Sequence, residues 1–394
     1  MDALEHGPND PLSASASVSS PPPTGAPPVA PYVAPVPAVP VHGAPGLAPE
    51  APVYATHEPA PAPTHAAPTH AAPPSAAHAP HAPATGAPNV GAIAAFGETL
   101  RQGIRRSMQI SSDRLEIVVC SLLAGGHLLL EDQPGVGKTQ LARSIASTID
   151  GRFARVQATV DLLPTDILGA TVWHAATGTF EFHPGPVFTN VLLVDELNRA
   201  TPKTQSGLLE AMQELQVTVD GQTHLLAQPF IVVATQNPTA GYDGTYPLPP
   251  AQLDRFIARL SLGYPTPAQE AALLRERPEI DDQPLVSLGD LVAAQAATRQ
   301  VATTEPLLQY VVSVLGATRH HPLTETGASP RAGLQLLSAA RARAALQGRD
   351  YVLPDDIQAL APAVLAHRIQ PVPAAPADAQ LTVVADALAQ MPAR

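Results

Sequence analysis

One lysine and one threonine, reached across two glycines, are the chain's foremost candidates for chemistry. They lie in Pro134-Gly135-Val136-Gly137-Lys138-Thr139, followed by Gln140. A bound triphosphate calls for backbone N–H groups that converge on it and a helix N-terminus behind it. It also needs a mobile cation on its β and γ oxygens and a hydroxyl for Mg2+. Gly135 and Gly137 allow the converging backbone, Lys138 is the cation and Thr139 the hydroxyl, so Pro134 to Gln140 are the expected binding residues. The pattern G-x-x-x-x-G-K-(S/T) is met except at its first position, where Asp132 stands. That change touches the tightness of the turn and removes no catalytic group. The plainer reading is a glycine-rich turn with an incidental lysine. Against it, only Lys138 and Lys203 among the 22 basic residues are lysines, so a lysine here marks a role that arginine does not fill.

Fifty-seven residues beyond Lys138, the apolar run Val191-Leu192-Leu193-Val194 ends in Asp195-Glu196. At a strand end Asp195 can reach the hydration shell of Mg2+, and Glu196 can polarise an attacking water. Thr139 and Asp195 are therefore the candidate metal-binding pair. An acidic pair at a strand end is often only the start of a solvated loop, but its place after a phosphate loop favours the chemical reading. Another apolar run, over 230–235, ends in Gln236-Asn237. Asn237 can orient water near a γ-phosphate, and equally well can be an ordinary strand terminator. Arg255 and Arg331 can stabilise charge on a transferring phosphoryl group, or be surface arginines held by carboxylates. Glu196, Asn237, Arg255 and Arg331 form the candidate catalytic set.

These residues need a sheet whose strand ends converge. Short apolar segments recur at 127–131, 153–157, 191–196, 230–237 and 256–262, separated by helical patterns such as KTQLARSIASTI and TQSGLLEAMQEL. The alternation predicts an α/β fold with a mostly parallel five-stranded sheet. Ahead of it, one helical pattern runs from near Ile93 to Gly125-Gly126. Two segments, 170–188 around Thr177-Gly178 and 216–230 around Asp220-Gly221, alternate as hairpins. Beyond Thr266 the patterns are all helical, with a last helix expected over 376–391. The expected organisation is a tail over 1–90, a core over 91–265, an all-α domain over 266–370 and a C-terminal segment over 371–394.

The tail follows from composition. Residues 1–90 hold 23 of the 46 prolines and seven of the 14 histidines but no lysine or arginine. Such a stretch is expected to be disordered, because Ala and Pro bury too little to offset ordering entropy. A single cysteine, Cys120, excludes an intramolecular disulfide framework and a multi-cysteine metal cluster, and fits a reducing, cytoplasmic setting. No apolar run of about 18 residues occurs, and MDALEHGPND lacks the basic start and apolar stretch of a secretory leader, so no membrane span is expected. The net charge is −12, and residues 91–394 carry 22 basic against 29 acidic side chains. With neither hairpin containing Lys or Arg, electrostatic nucleic-acid binding is not expected.

In order and spacing, DQPGVGKTQLA, LLVDELNRATPKTQSGLLEAMQE, VATQNP, GTYPLPPAQLDRF and SPRAGLQLL resemble the MoxR family of AAA+ ATPases, over about residues 95–370. The stretch 192–214 is specific to that family among AAA+ proteins. The resemblance implies a P-loop AAA+ core followed by an all-α lid. It implies Walker A at Gly135 to Thr139, Walker B at Asp195 and Glu196, and sensor 1 at Asn237. It implies an arginine finger at Arg255, with Arg199 a second candidate, and sensor 2 at Arg331. Such arginines work across subunits, so the resemblance also implies a homo-oligomeric ring, a hexamer, using ATP and Mg2+. Lys203 is expected at an interface or in nucleotide sensing. Pro250 stands where the family usually has an acidic residue.

The activity implied is hydrolysis of ATP to ADP and phosphate. The role implied is that of a chaperone-like motor in the maturation or assembly of a client protein complex, often beside a von Willebrand factor A domain protein. Two other readings differ in class: a nucleic-acid remodeller, which the charge balance disfavours, and a nucleotide-gated scaffold with little turnover, which the intact Glu196, Asn237, Arg255 and Arg331 disfavour.

Overall fold

The computed structural model describes residues 89–236, 245–275 and 283–391. The tail expected over 1–90 thus falls almost wholly outside the described residues, and so does Asn237. Helices α1 (Val90–Ser107) and α2 (Ser112–Leu123) lead into β1 (His127–Glu131) and α3 (Lys138–Thr148). Next come β2 (Phe153–Gln157), a short α4 (Pro164–Leu168), and a hairpin of β3 (Gly169–His174) and β4 (Thr179–Pro184). Strand β5 (Val191–Asp195) and α5 (Pro202–Glu214) precede a second hairpin, β6 (Gln216–Val219) and β7 (Gln222–Leu225). Strand β8 (Ile231–Gln236), α6 (Pro250–Leu253) and β9 (Phe256–Leu260) follow. The remainder comprises α7 (Pro267–Arg275), α8 (Leu288–Thr298), α9 (Glu305–Arg319), β10 (Thr324–Thr326), α10 (Pro330–Leu346), α11 (Pro354–Leu365), β11 (Gln370–Pro371) and α12 (Ala379–Gln390).

The five apolar segments form one parallel sheet in the order β2-β5-β8-β1-β9. Because side chains alternate between faces along a strand, each central strand feeds two cores. Leu128, Leu130, Val191, Leu193, Ile231 and Val233 face the core built with α1, α2, α3 and the later helices. Leu129, Leu192, Val194, Val232 and Ala234 face the core built with α5 and the hairpins. Burial on both sides is why these strands read as unbroken apolar runs. Truncating one of these leucines to alanine costs about 2–5 kcal/mol.

The periodicity predicts a single helical stretch ahead of β1, but the structure breaks it at Met108 to Ser111. Met108 (φ −150°, ψ 151°) and Ser111 (φ −65°, ψ 151°) are both extended. Ser111 and Asp113, at the start of α2, are residue types that favour a new helix N-terminus. The two helices pack on α10: a Cβ at Gly97 would lie 1.9 Å from Leu346 Cδ2, so only glycine lets α1 approach this closely. One apolar core therefore runs from the sheet through α1 and α2 into α10 and α11.

The later helices are joined by a two-stranded antiparallel pair, β10 and β11. A fully buried carboxylate, Asp356, opens α11 and is answered by Arg343 at 2.8 Å, Arg349 at 2.7 Å and the Leu353 N–H at 2.8 Å. Helix α12 buries Val383, Val384 and Ala387 against this bundle. Among the described residues, no helix is long and apolar enough to cross a membrane.

Candidate functional site

The loop between β1 and α3 leaves the C-terminal edge of a central strand, where parallel α/β sheets bind ligands. Gly135 (φ +89°) and Gly137 (φ +95°) are both left-handed. A Cβ at Gly135 would meet nothing within 4 Å, and one at Gly137 only Met108 Cε at 3.6 Å. Backbone conformation, and not crowding, therefore selects glycine here. Left-handed residues in such a loop turn successive N–H groups toward one concavity. Gly137 caps α3 without a side-chain hydrogen bond, so the first turn keeps its N–H donors for a ligand. Lys138 Nζ donates to the carbonyls of Asp132 (2.7 Å) and Gln133 (3.4 Å), holding the ammonium against the loop.

A cleft of about 380 Å³ opens between this loop and the ends of β2, β5 and β8. Pro134, Gly135, Gly137, Lys138, Thr139 and Gln140 line one side, and Arg155, Gln157, Asp195, Glu196 and Thr235 the other. The lysine, the hydroxyl and both acids named from the sequence thus meet in one place. Asp195 is buried and pairs with Arg155, Nε to Oδ2, at 2.7 Å. Glu196 adopts a left-handed conformation (φ 54°, ψ 46°), which costs a non-glycine residue about 1–2 kcal/mol. Its N–H donates to Thr235 Oγ1 at 2.9 Å, and Thr235 Oγ1 lies 3.4 Å from Asp195 Oδ1. Thr235 therefore joins the Asp195 carboxylate to the Glu196 backbone, a role hidden in the sequence because threonine is an ordinary strand residue. The Glu196 carboxylate is held by Arg199 of the same chain at 2.9 Å.

A second cavity of about 470 Å³ adjoins the first and shares Gly135, Gly137 and Gln140 with it. Its walls are Met108, Gln109 and Ile110 from the break between α1 and α2, Val136 from the loop, and Leu262 to Thr266 from the segment joining β9 to α7. Ser107, Ser111, Arg114, Gln269 and Glu270 add polar groups to this lining, and a slot of mixed apolar and polar character beside a phosphate loop suits a nucleoside. Sequence reasoning missed it because it rests on the unexpected helix break; the signal available was the Ser111-Ser112-Asp113 cluster.

Asp132 has more work than loosening a turn. It is 5% exposed and accepts hydrogen bonds from Ser261 Oγ (2.6 Å), Leu262 N–H (2.6 Å) and Gly263 N–H (3.0 Å). Arg255 and Arg331 do not line the cleft. Arg255 Nη1 donates to the Leu209 carbonyl at 2.5 Å, and Arg331 Nη1 to Gln213 Oε1 at 3.4 Å, one turn further along α5. Between the two arginines, Asp254 pairs with buried Arg368 at 2.9 Å and accepts from Ser329 Oγ at 3.1 Å. Lys203 is exposed on the first turn of α5 and is not among the cleft residues.

A phosphate loop on a parallel sheet, with Asp-Glu on a strand across the cleft and a helical lid behind, defines a P-loop nucleotide-binding protein of the AAA+ class. The model of the ATPase family associated with various cellular activities (AAA) matches residues 127–258, and that of the AAA lid domain matches residues 316–387. The chain is 47% identical over 270 residues to the uncharacterized protein YeaC of Bacillus subtilis, covering 68% of this chain and 84% of that one. It is 40% identical over 291 residues to Chaperone MoxR1 of Mycobacterium tuberculosis, covering 70% and 77%. The solved structure of an ATPase candidate from Cytophaga hutchinsonii superposes with a TM-score of 0.69 at 33% identity, covering 76% of this chain and 96% of that one. The chain belongs to the MoxR family of AAA+ ATPases.

Proposed function

We propose that the chain binds ATP with Mg2+ in the cleft and hydrolyses it to ADP and phosphate. We further propose that it works as a homo-oligomeric ring, a hexamer, that drives maturation or assembly of a client protein complex. The observation that carries the reading is the meeting of Lys138, Thr139, Asp195 and Glu196 across one cleft. Thr139 and Asp195 offer the hard oxygen donors that suit Mg2+ and would hold it. Bound there, Mg2+ supplies charge neutralisation at the β and γ phosphate oxygens. Lys138 and the loop N–H groups orient the triphosphate, and Glu196 takes the proton of the attacking water once its pairing with Arg199 opens. Asn237, outside the described residues, follows β8 and would orient that water.

The placement of Arg255 and Arg331 outside their own chain's cleft supports their action on a neighbouring subunit, and with it the ring. The name of Chaperone MoxR1 supports a client-handling role. A von Willebrand factor A domain partner and a cytoplasmic setting remain part of this proposal, the latter in keeping with Cys120 as a buried free thiol. Exposed Trp173 and Phe180, packed edge to face at 4.9 Å on the β3–β4 hairpin, offer a surface for contact with a client. Phosphate release should fall by about 100-fold or more in Glu196→Gln, while ATP binding persists. The same variant with ATP should retain the client in a pull-down. Undiminished turnover would remove Glu196 from the chemistry.

A further inference from the structure

The cleft contains a cation of its own opposite the phosphate loop. Arg155, on edge strand β2, donates from Nε to Asp195 Oδ2 at 2.7 Å, and its Nη2 reaches Gln157 Oε1 at 3.4 Å. Arg155 and Gln157 are two residues apart on a strand and so share a face. The other oxygen of Asp195 has Thr235 Oγ1 at 3.4 Å. Both oxygens of the Walker B aspartate are thus engaged by protein groups, and the shorter contact is charged. The Asp195 side chain is 10% exposed and fixed at the end of an inner strand, whereas that of Arg155 is 48% exposed at the cleft wall. Of the two partners, Arg155 is the one free to move, and Gln157 gives its planar fork a second acceptor inside the same cleft.

Resting on the reading of this cleft as an ATP and Mg2+ site, we propose that Arg155 is a positioning residue that competes with the divalent cation for Asp195. It thereby sets the Mg2+ concentration at which nucleotide is held. One carboxylate cannot give its full charge to both the guanidinium and a hydrated Mg2+. The pair therefore has to open before Asp195 can serve the metal, and the cleft favours nucleotide that arrives with its cation.

The test is equilibrium binding of a fluorescent ADP analogue to the full chain as free Mg2+ is varied. Removing the competitor in Arg155→Gln should lower the Mg2+ midpoint by about two- to five-fold, the range of a half-exposed ion pair. Arg155→Lys, which keeps the charge, should stay near the wild-type midpoint. Arg155→Met carries the same expectation as the glutamine variant and replaces it if that variant melts early. An unchanged or raised midpoint in the neutral variants would overturn the proposal, since a merely structural arginine would leave Asp195 misplaced and weaken the metal. Wild-type protein that binds no nucleotide at saturating Mg2+ would overturn the ATP reading and this inference together; wild-type binding without a shift in the variants overturns this inference alone.

Discussion

Asp132 accepts the Leu262 N–H at 2.6 Å, tying the entrance of the phosphate loop to the strand end that leads into the lid. The same carboxylate takes the Ser261 hydroxyl and the Gly263 N–H, while the Asp132 carbonyl takes Lys138 Nζ. Loop, Lys138 and lid connection thus share one residue. Gly263 is left-handed (φ +63°), a conformation that glycine adopts without steric cost, and it lies against the Arg114 guanidinium.

Asp132→Gly, which supplies the glycine of the general phosphate-loop pattern, should therefore harm the protein. Loss of three hydrogen bonds to a buried carboxylate is expected to cost about 2–4 kcal/mol in denaturant unfolding. Nucleotide should also no longer slow amide exchange over residues 261–266. Unaltered stability together with normal protection would show that Asp132 links nothing.

Arg255 and Arg331 both reach α5, at Leu209 and Gln213, away from the cleft of their own chain. In a head-to-tail ring, Lys138→Ala subunits keep the arginine and lose the cleft, while Arg255→Ala subunits do the reverse. Each variant alone should be nearly inactive. An equimolar mixture should regain roughly a quarter of wild-type phosphate release, as random assembly of a heterologous ring predicts. A mixture as inactive as its parts would place Arg255 in its own chain's chemistry.

His127 gives a pH dependence of stability. It is buried, its Nδ1 accepts the Val232 N–H at 3.1 Å, and Nε2 lies 3.2 Å from the Met212 carbonyl, so the neutral ring carries its proton on Nε2. Burial lowers its pKa from 6.5 to about 4, with the Met212 carbonyl opposing and Arg331 assisting. The unfolded chain binds this proton first on acidification, so the stabilisation is complete above pH 6.5 and is lost as pH falls toward about 4. Between about pH 7.5 and about pH 5 the loss should be about 2 kcal/mol. Urea unfolding of His127→Gln should show a shallower slope across that window; equal slopes would assign the acid sensitivity elsewhere.

Much of the fold was legible because the inner strands are apolar on both faces. Leu128, Leu129 and Leu130 serve two cores in turn, so β1 appears in the sequence as an uninterrupted run. Lys138, Thr139, Asp195 and Glu196 were legible because local backbone chemistry requires them side by side in the chain, next to glycines or at a strand end. The helix break at Met108 to Ser111 was not, because apolar periodicity continues across it while the backbone turns extended.

By itself, then, the sequence determined the strands, the helices after Thr266 and the residues of the phosphate loop, all of which depend on neighbours within a few positions. Only the tertiary structure decided that Thr235 joins Asp195 to the Glu196 backbone, that Arg155 pairs with Asp195, and that Asp132 reaches residues 261–263. Each of those contacts joins segments from about 40 to 130 residues apart. They exist because the strands assemble in the order β2-β5-β8-β1-β9, an outcome of long-range packing that no local pattern records.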